Sequence, residues 1–357
     1  MNGNDRFYDL SGLWQADIGD GKRYPIRLPG TLDESRIGYR DSGGGQVHPD
    51  EALGNHEAGA AGEAKIGAAD GQSGTASGQH EEDAPIATRF TRKYTYEGAA
   101  RLTRSLTFEA PSGKRVFLEA ERARCLRLFI DGKEVPVFGN ATLCTPYVFE
   151  VTGLLNGTHK MTLLSDNSYP GLPHDAIVYS SAATDETQTN WNGVLGYLRL
   201  RIEEPVFPAS VRVYPKGNGL TVRAELCADV PWEGTVSVRS EALKEPTQVS
   251  VQMGRHEENT GRTDNADRAV GTGTEIVFHF LALREDVKRW DEEEGNLYEL
   301  SVSLSNGASR TVFFGIRDFG ADEDGMLSLN GRRFFLRGEA NCAVFPETGY
   351  PPMSVEG

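Results

Sequence analysis

Gly315-Ile316-Arg317-Asp318-Phe319-Gly320 is followed by Leu327-Ser328-Leu329-Asn330-Gly331-Arg332-Arg333-Phe334-Phe335-Leu336-Arg337-Gly338-Glu339-Ala340-Asn341, near the end of a 357-residue chain. Two strand-like runs flank Asn330-Gly331. Asn-Gly accepts φ > 0 at both central turn positions, so the dipeptide predicts a hairpin. The second run then carries Arg337, Glu339 and Asn341 past a glycine. The segment reads as the opening of a further unit of structure.

This stretch, G-x-R followed by L-N-G, five further residues and then R-G with an Asn close behind, resembles the junction of family 2 glycoside hydrolases, where an immunoglobulin-like domain hands over to a (β/α)8 catalytic barrel. Several fixed spacings coincide, which makes the resemblance specific. Such a barrel takes about 250 residues, so the resemblance implies that most of the catalytic domain lies outside this chain.

The residues upstream read as strands. Leu10 to Asp17 and Tyr24 to Asp33 are short apolar runs cut by Gly and Pro. Further β-rich runs follow at Tyr94–Tyr96, Leu102–Phe108, Val116–Glu119, Cys125–Ile130, Val135–Phe138, Tyr147–Val151, His159–Leu164 and Tyr197–Ile202. Many alternate with period two, and Asp131-Gly132 and Asn156-Gly157 supply hairpin turns. An antiparallel sandwich of the jelly-roll kind fits.

A second set of seven runs, between Val211 and Phe314, has the size of an immunoglobulin-like sandwich of about 100 residues. Met253–Thr274 interrupts it and reads as a long hairpin loop. Ala282–Trp290 has room for one or two helical turns. Residues 42–84 contain no aromatic side chain and are nearly half Gly and Ala. Too little apolar surface is available there to offset the entropy of ordering, so a disordered insertion is expected.

The expected fold class is therefore all-β. A jelly-roll sugar-binding sandwich spans 1–205, an immunoglobulin-like β-sandwich spans 206–318, and 319–357 begins a truncated (β/α)8 barrel with its first strand.

A net charge of −15 argues against a nucleic-acid partner, whose footprint is a basic patch. No run approaches the roughly 18 apolar residues of a membrane span. The N-terminus lacks the apolar core of a signal peptide, so cytoplasmic residence is expected. Cys125, Cys144, Cys227 and Cys342 show neither C-x-x-C spacing nor a His companion, which predicts reduced thiols and no metal site. No cofactor is expected, and the residues leave a homo-oligomer open. G-x-S-x-G, G-x-x-x-x-G-K-[ST] and H-E-x-x-H are all absent.

Ser165-Asp166-Asn167-Ser168-Tyr169 follows a strand and resembles a family 2 β-galactosidase loop whose Asp reaches the active site. The resemblance implies that Asp166 binds sugar; read by themselves, Asp166 and Asn167 make an Asx turn. Thr189 to Leu200 is similar to the family segment that enters the last jelly-roll strand. Within it, Asn190 and Trp191 have residue types suited to sugar hydroxyls and ring faces. A Trp at such a boundary equally serves as packing between domains. Asn190 and Asn192 equally cap turns.

The polar loop 170–188, with His174, Asp175, Asp185 and Glu186, has no metal-ligand spacing. The resemblance implies a substrate contact for Asn341, which stands one residue beyond the Asn of the family pattern R-G-x-N-x-H. Cys342 follows it directly and the usual His is missing.

Retaining glycosidases use two carboxylates about 5 to 5.5 Å apart. The resemblance places that pair on later barrel strands, so Glu339 and Glu347 are rejected and no catalytic residue is expected in this chain. The implied activity is hydrolysis of a β-glycoside, with galactoside favoured by Ser165–Tyr169. The alternative is a non-catalytic carbohydrate-binding or scaffold protein of two sandwiches, which would leave Phe334-Phe335-Leu336 exposed.

Overall fold

The computed structural model describes residues 6–40, 94–141, 145–173, 176–177, 189–254, 274–340, 345 and 348–352. The expected insertion at 42–84 lies outside them. Among the described residues the chain is almost entirely strand and turn, arranged as two sandwiches followed by a small hairpin.

Alternation builds the first sandwich. In Ala99–Phe108, Ala100, Leu102, Leu106 and Phe108 are buried while Arg101, Ser105 and Thr107 face water. This strand sits fourth in a six-stranded antiparallel sheet ordered Lys133–Val135, Cys125–Ile130, Gly157–Asp166, Ala99–Phe108, Gly12–Asp17, Tyr24–Leu28. Against it packs a four-stranded sheet ordered Phe7–Asp9, Leu198–Glu203, Arg115–Ala120, Tyr147–Glu150. Trp14, Leu102, Leu118, Phe149, Leu163 and Leu200 fill the space between the two sheets.

The strand Arg115–Ala120 breaks the alternation because it is buried on both faces. Val116 and Leu118 face the first core, whereas Phe117 joins the core of the second sandwich. Phe117 packs edge-on against Phe138 and Phe207, with ring centroids 5.1 and 5.6 Å away. Arg115, only 4% exposed, lies over the same rings and grips Glu150 with two bonds of 2.9 and 2.8 Å. Its third contact is to the Cys227 sulfur at 3.2 Å. Burying the charge is tolerated because it is paired and fully engaged.

The second sandwich sets Val206–Lys216, Gly219–Ala228 and Thr274–Ala282 against Thr247–Met253, Trp232–Ser240, Tyr298–Leu304 and Ser309–Phe314. All seven expected strands are present. Three local readings need correction. Met253 and Thr274 belong to different sheets and do not pair, so their strands do not form a hairpin; residues 255–273 lie outside the described set. Asn156-Gly157 is likewise a corner between sheets, since Tyr147–Glu150 pairs with Arg115–Ala120 while Gly157 pairs with Phe108. No helix forms over 282–290, because Ala282 ends a strand and Leu283 bridges to Leu243.

Asp131-Gly132 does turn a hairpin, with φ of 49° and 82°. So does Asn330-Gly331, at 52° and 76°, between Leu327–Leu329 and Arg332–Arg333. The Asn330 amide donates to Trp290 O at 3.0 Å and ties this hairpin to the second sandwich. Beyond it, the Phe334 N–H still donates to Leu327 O at 2.7 Å, Phe335 to Ala340 belongs to no strand, and no barrel occurs among the described residues.

Phe117→Ala should cost about 3 to 5 kcal/mol, because its cavity opens where the two cores meet. Urea denaturation of the variant measures this, and a loss below about 1 kcal/mol would show that the seam is not a shared core.

Candidate functional site

The loops at one end of the first sandwich converge around Asn167, which directly follows the strand Gly157–Asp166 and is 1% exposed. Its amide nitrogen donates to Tyr96 O at 2.8 Å and to Asn190 O at 2.7 Å. Its amide oxygen accepts from the Gly98 N–H at 2.9 Å and from Asn192 Nδ2 at 3.2 Å. Asn190 closes the other side: Nδ2 donates to Asn167 O at 3.0 Å, and Oδ1 accepts the Tyr169 hydroxyl at 2.7 Å. Three separate loops are thereby fixed by one set of buried amides, as a buried polar group requires.

Two glycines permit the close approach underneath. Gly193 pairs with Thr31, and a Cβ on Gly193 would lie 2.2 Å from Gly30 O. Gly193 also has φ of 142°, which disfavours any side chain. The adjoining turn is closed reciprocally, with Thr31 N–H donating to Glu34 Oε2 at 3.0 Å and Glu34 N–H donating to Thr31 Oγ1 at 3.2 Å.

Trp191 packs with Leu195 and Tyr350. The Arg124 guanidinium covers its ring at 4.2 Å and donates through Nη2 to Thr189 O at 3.1 Å. Thr189 N–H in turn donates to Gly349 O at 2.8 Å, and Arg122 Nη1 donates to Pro352 O at 3.1 Å. The segment around Tyr350 is thus docked on the loop end of the first sandwich. Trp191 is the packing residue of that contact, although its Nε1 has no hydrogen-bond partner among the described residues. The Tyr350 hydroxyl faces the Glu34 carboxylate without a well-formed hydrogen bond; burial, and then Glu34, push its pKa upward.

Asp166 lies on the outer side of the six-stranded sheet, between Ala99 and Cys125. It makes the Asx turn that its sequence allows, Oδ1 accepting the Ser168 N–H at 2.8 Å and the Ser168 hydroxyl at 2.6 Å. Oδ2 has no partner among the described residues. Burial first, and the Asp166 carboxylate second, raise the pKa values of the Tyr96 phenol and the Cys125 thiol, keeping both neutral around pH 7.

The structure therefore brings Asp166, Asn190 and Trp191 to one end of the sandwich. Asn341, Glu347, His174, Asp175, Asp185 and Glu186 lie outside the described residues. Glu339 is exposed, in the segment that lacks ladder partners. Sequence reasoning missed Arg124 and Tyr350, and treated Asn167 only as a turn residue; nothing local distinguishes a buried Asn from an exposed one. No group of three or more His, Cys, Asp or Glu among the described residues is placed to hold a metal ion.

The architecture is that of two linked β-sandwiches with a polar loop cluster at one end, and solved structures share it. A family 2 glycosyl hydrolase from Bacteroides cellulosilyticus aligns over 94% of this chain and 39% of its own, with TM-score 0.59 and 12% identity. A β-galacturonidase of the same family from Eisenbergiella tayi, bound to galacturonate, aligns over 92% and 46%, with TM-score 0.55 and 15% identity. Bacteroides uniformis β-glucuronidase 2, as a calcium-binding mutant, aligns over 93% and 35%, with TM-score 0.57 and 16% identity. No family model and no curated protein matches the sequence. The chain thus has the fold of part of a family 2 glycoside hydrolase, and it spans less than half the length of these structures.

Asn167→Ala should cost about 3 kcal/mol, since it removes four hydrogen bonds, two of them fully buried, whereas Asp166→Ala should cost about 1 kcal/mol. Urea midpoints of the two variants decide this, and equal losses would remove Asn167 from its organising role.

Proposed function

We propose that this chain is the N-terminal portion of a retaining β-glycosidase, with a β-galactoside as the favoured substrate. The correspondence of both sandwiches, over more than nine-tenths of the chain, with structures of family 2 glycosidases carries the reading. The uncovered Phe335 and Leu336, 81% and 65% exposed, supply an apolar surface on which a barrel would pack. The same exposure weighs against a self-sufficient two-sandwich binding protein.

In this reading the two catalytic glutamates come from barrel strands beyond residue 357. One attacks the anomeric carbon while the other protonates the leaving oxygen; water then releases the sugar with the second residue acting as base. The chain's own part is to shape the pocket. Asp166 contributes Oδ2 as acceptor for a sugar hydroxyl. Asn190 spends both amide atoms inside the loop cluster, so it positions the loops and does not contact sugar. Trp191 holds the Tyr350 segment against the loop end of the first sandwich.

The test is hydrolysis of aryl β-galactoside, β-glucuronide, β-galacturonide and β-mannoside by the protein as its own source produces it, with its intact mass measured against 39.0 kDa. Asp166→Ala should lower kcat/KM at least about tenfold, roughly 1.4 kcal/mol of lost binding. Residues 1–357 alone should be inactive. Turnover by that chain that survived Glu339→Gln and Glu347→Gln together would end the proposal.

A further inference from the structure

The alternation that buries Trp14, Leu102 and Leu163 turns their neighbours to the outer face of the six-stranded sheet, which is hollowed into a cleft of about 690 Å3. A cross-strand row forms its floor: Gln15 opposite Thr103, Thr103 opposite Thr162, Thr162 opposite Phe129. The Thr103 and Thr162 hydroxyls are 3.3 Å apart. Arg23 and Arg101 stand toward one end, and Lys160, opposite Ser105, stands toward the other.

Among the described residues none of these three cations forms an ion pair. Asp17 faces Arg101 across the strands, but its Oδ1 accepts the Gly19 N–H at 2.8 Å. It forms no ion pair with Arg101 or Arg23 among the described residues. Arg127 and Glu134, at the far edge, are 2.6 Å apart and cancel each other. A charged strand face is ordinarily just solvated. Here the cations border a hollow lined with hydroxyl and amide groups, on a chain whose net charge of −15 has the opposite sign.

We propose that this cleft binds a uronate-bearing oligosaccharide. Guanidinium groups match carboxylates in bidentate geometry. Thr103, Thr162 and Gln15 donate to and accept from sugar hydroxyls. Leu13 and Phe129 offer apolar edges to ring C–H groups. A phosphate polymer fits less well, because it draws affinity from many cations and from long-range attraction, which the overall negative charge opposes. Strand rise and strand spacing put the Cα atoms of Arg101 and Lys160 about 14 Å apart. A single uronic acid reaches one cation, while an oligomer reaches both ends.

The inference does not require hydrolysis, and its test is binding. Calorimetric titration of the full chain with polygalacturonate should give saturable binding that monomeric galacturonate and neutral galactan do not reproduce. Arg101→Gln with Lys160→Gln should raise the dissociation constant at least tenfold. Both side chains are exposed, so the urea midpoint and any glycosidase activity should stay unchanged. Equal binding of galactan, an unaltered constant in the double variant, or single-stranded DNA bound as tightly as polygalacturonate would each overturn the assignment.

Discussion

The Asn167 side chain holds together what the chain keeps apart. Its four hydrogen bonds reach Tyr96, Gly98, Asn190 and Asn192. A buried amide is costly unless satisfied, and once satisfied it admits few alternative arrangements. That constraint turns three surface connections into one rigid end of a sandwich. Asp166 and Trp191 take their positions from it, one residue away from Asn167 and from Asn190 respectively. The close contact of Gly193 with Gly30 serves the same end, since any side chain there would part the loops that the amides join.

Strand positions were legible because one-sided burial writes itself as alternation. His159–Leu164 lies within Gly157–Asp166, and Cys125–Ile130 matches its expected bounds. Pairing was less legible. Asn156-Gly157 has turn chemistry, yet the chain passes there from one sheet to the other. Alternation reveals which face of a strand is buried but says nothing of its neighbours, and Met253–Thr274 was misread for the same reason. Arg115–Ala120 shows the converse: a charged residue opens a strand buried on both sides, which only the seam with the second sandwich explains.

The candidate site was legible in part. Ser165–Tyr169 and Asn190-Trp191 were found through family resemblance, and the structure brings them together. Their roles differ from what residue type suggests: Asn190 is consumed by Tyr169 and Asn167, and Trp191 by Leu195, Tyr350 and Arg124. Arg124 gave no local signal, because its importance lies in a ring it covers 67 residues further along the chain. The cations of the outer sheet face were hidden by the sum. A charge of −15 averages over the whole chain, whereas strand alternation collects Arg101 and Lys160 on one surface.

Counting unspent polar atoms distinguishes structural from recognition groups in this sandwich. The amides of Asn167 and Asn190 are saturated, so a ligand that engaged them would have to break internal bonds for no net gain. Asp166 Oδ2 has no partner among the described residues, nor does the guanidinium of Arg101 on the same outer face. These groups hold their hydrogen-bonding capacity in reserve on strands whose backbones are already fixed, so a ligand that engages them orders side chains but little backbone. A carbohydrate presents hydroxyls of low individual affinity, and a surface binds it well only when the protein's own acceptors and donors are already in place. The buried amides provide that placement, and the groups around them are left to do the binding.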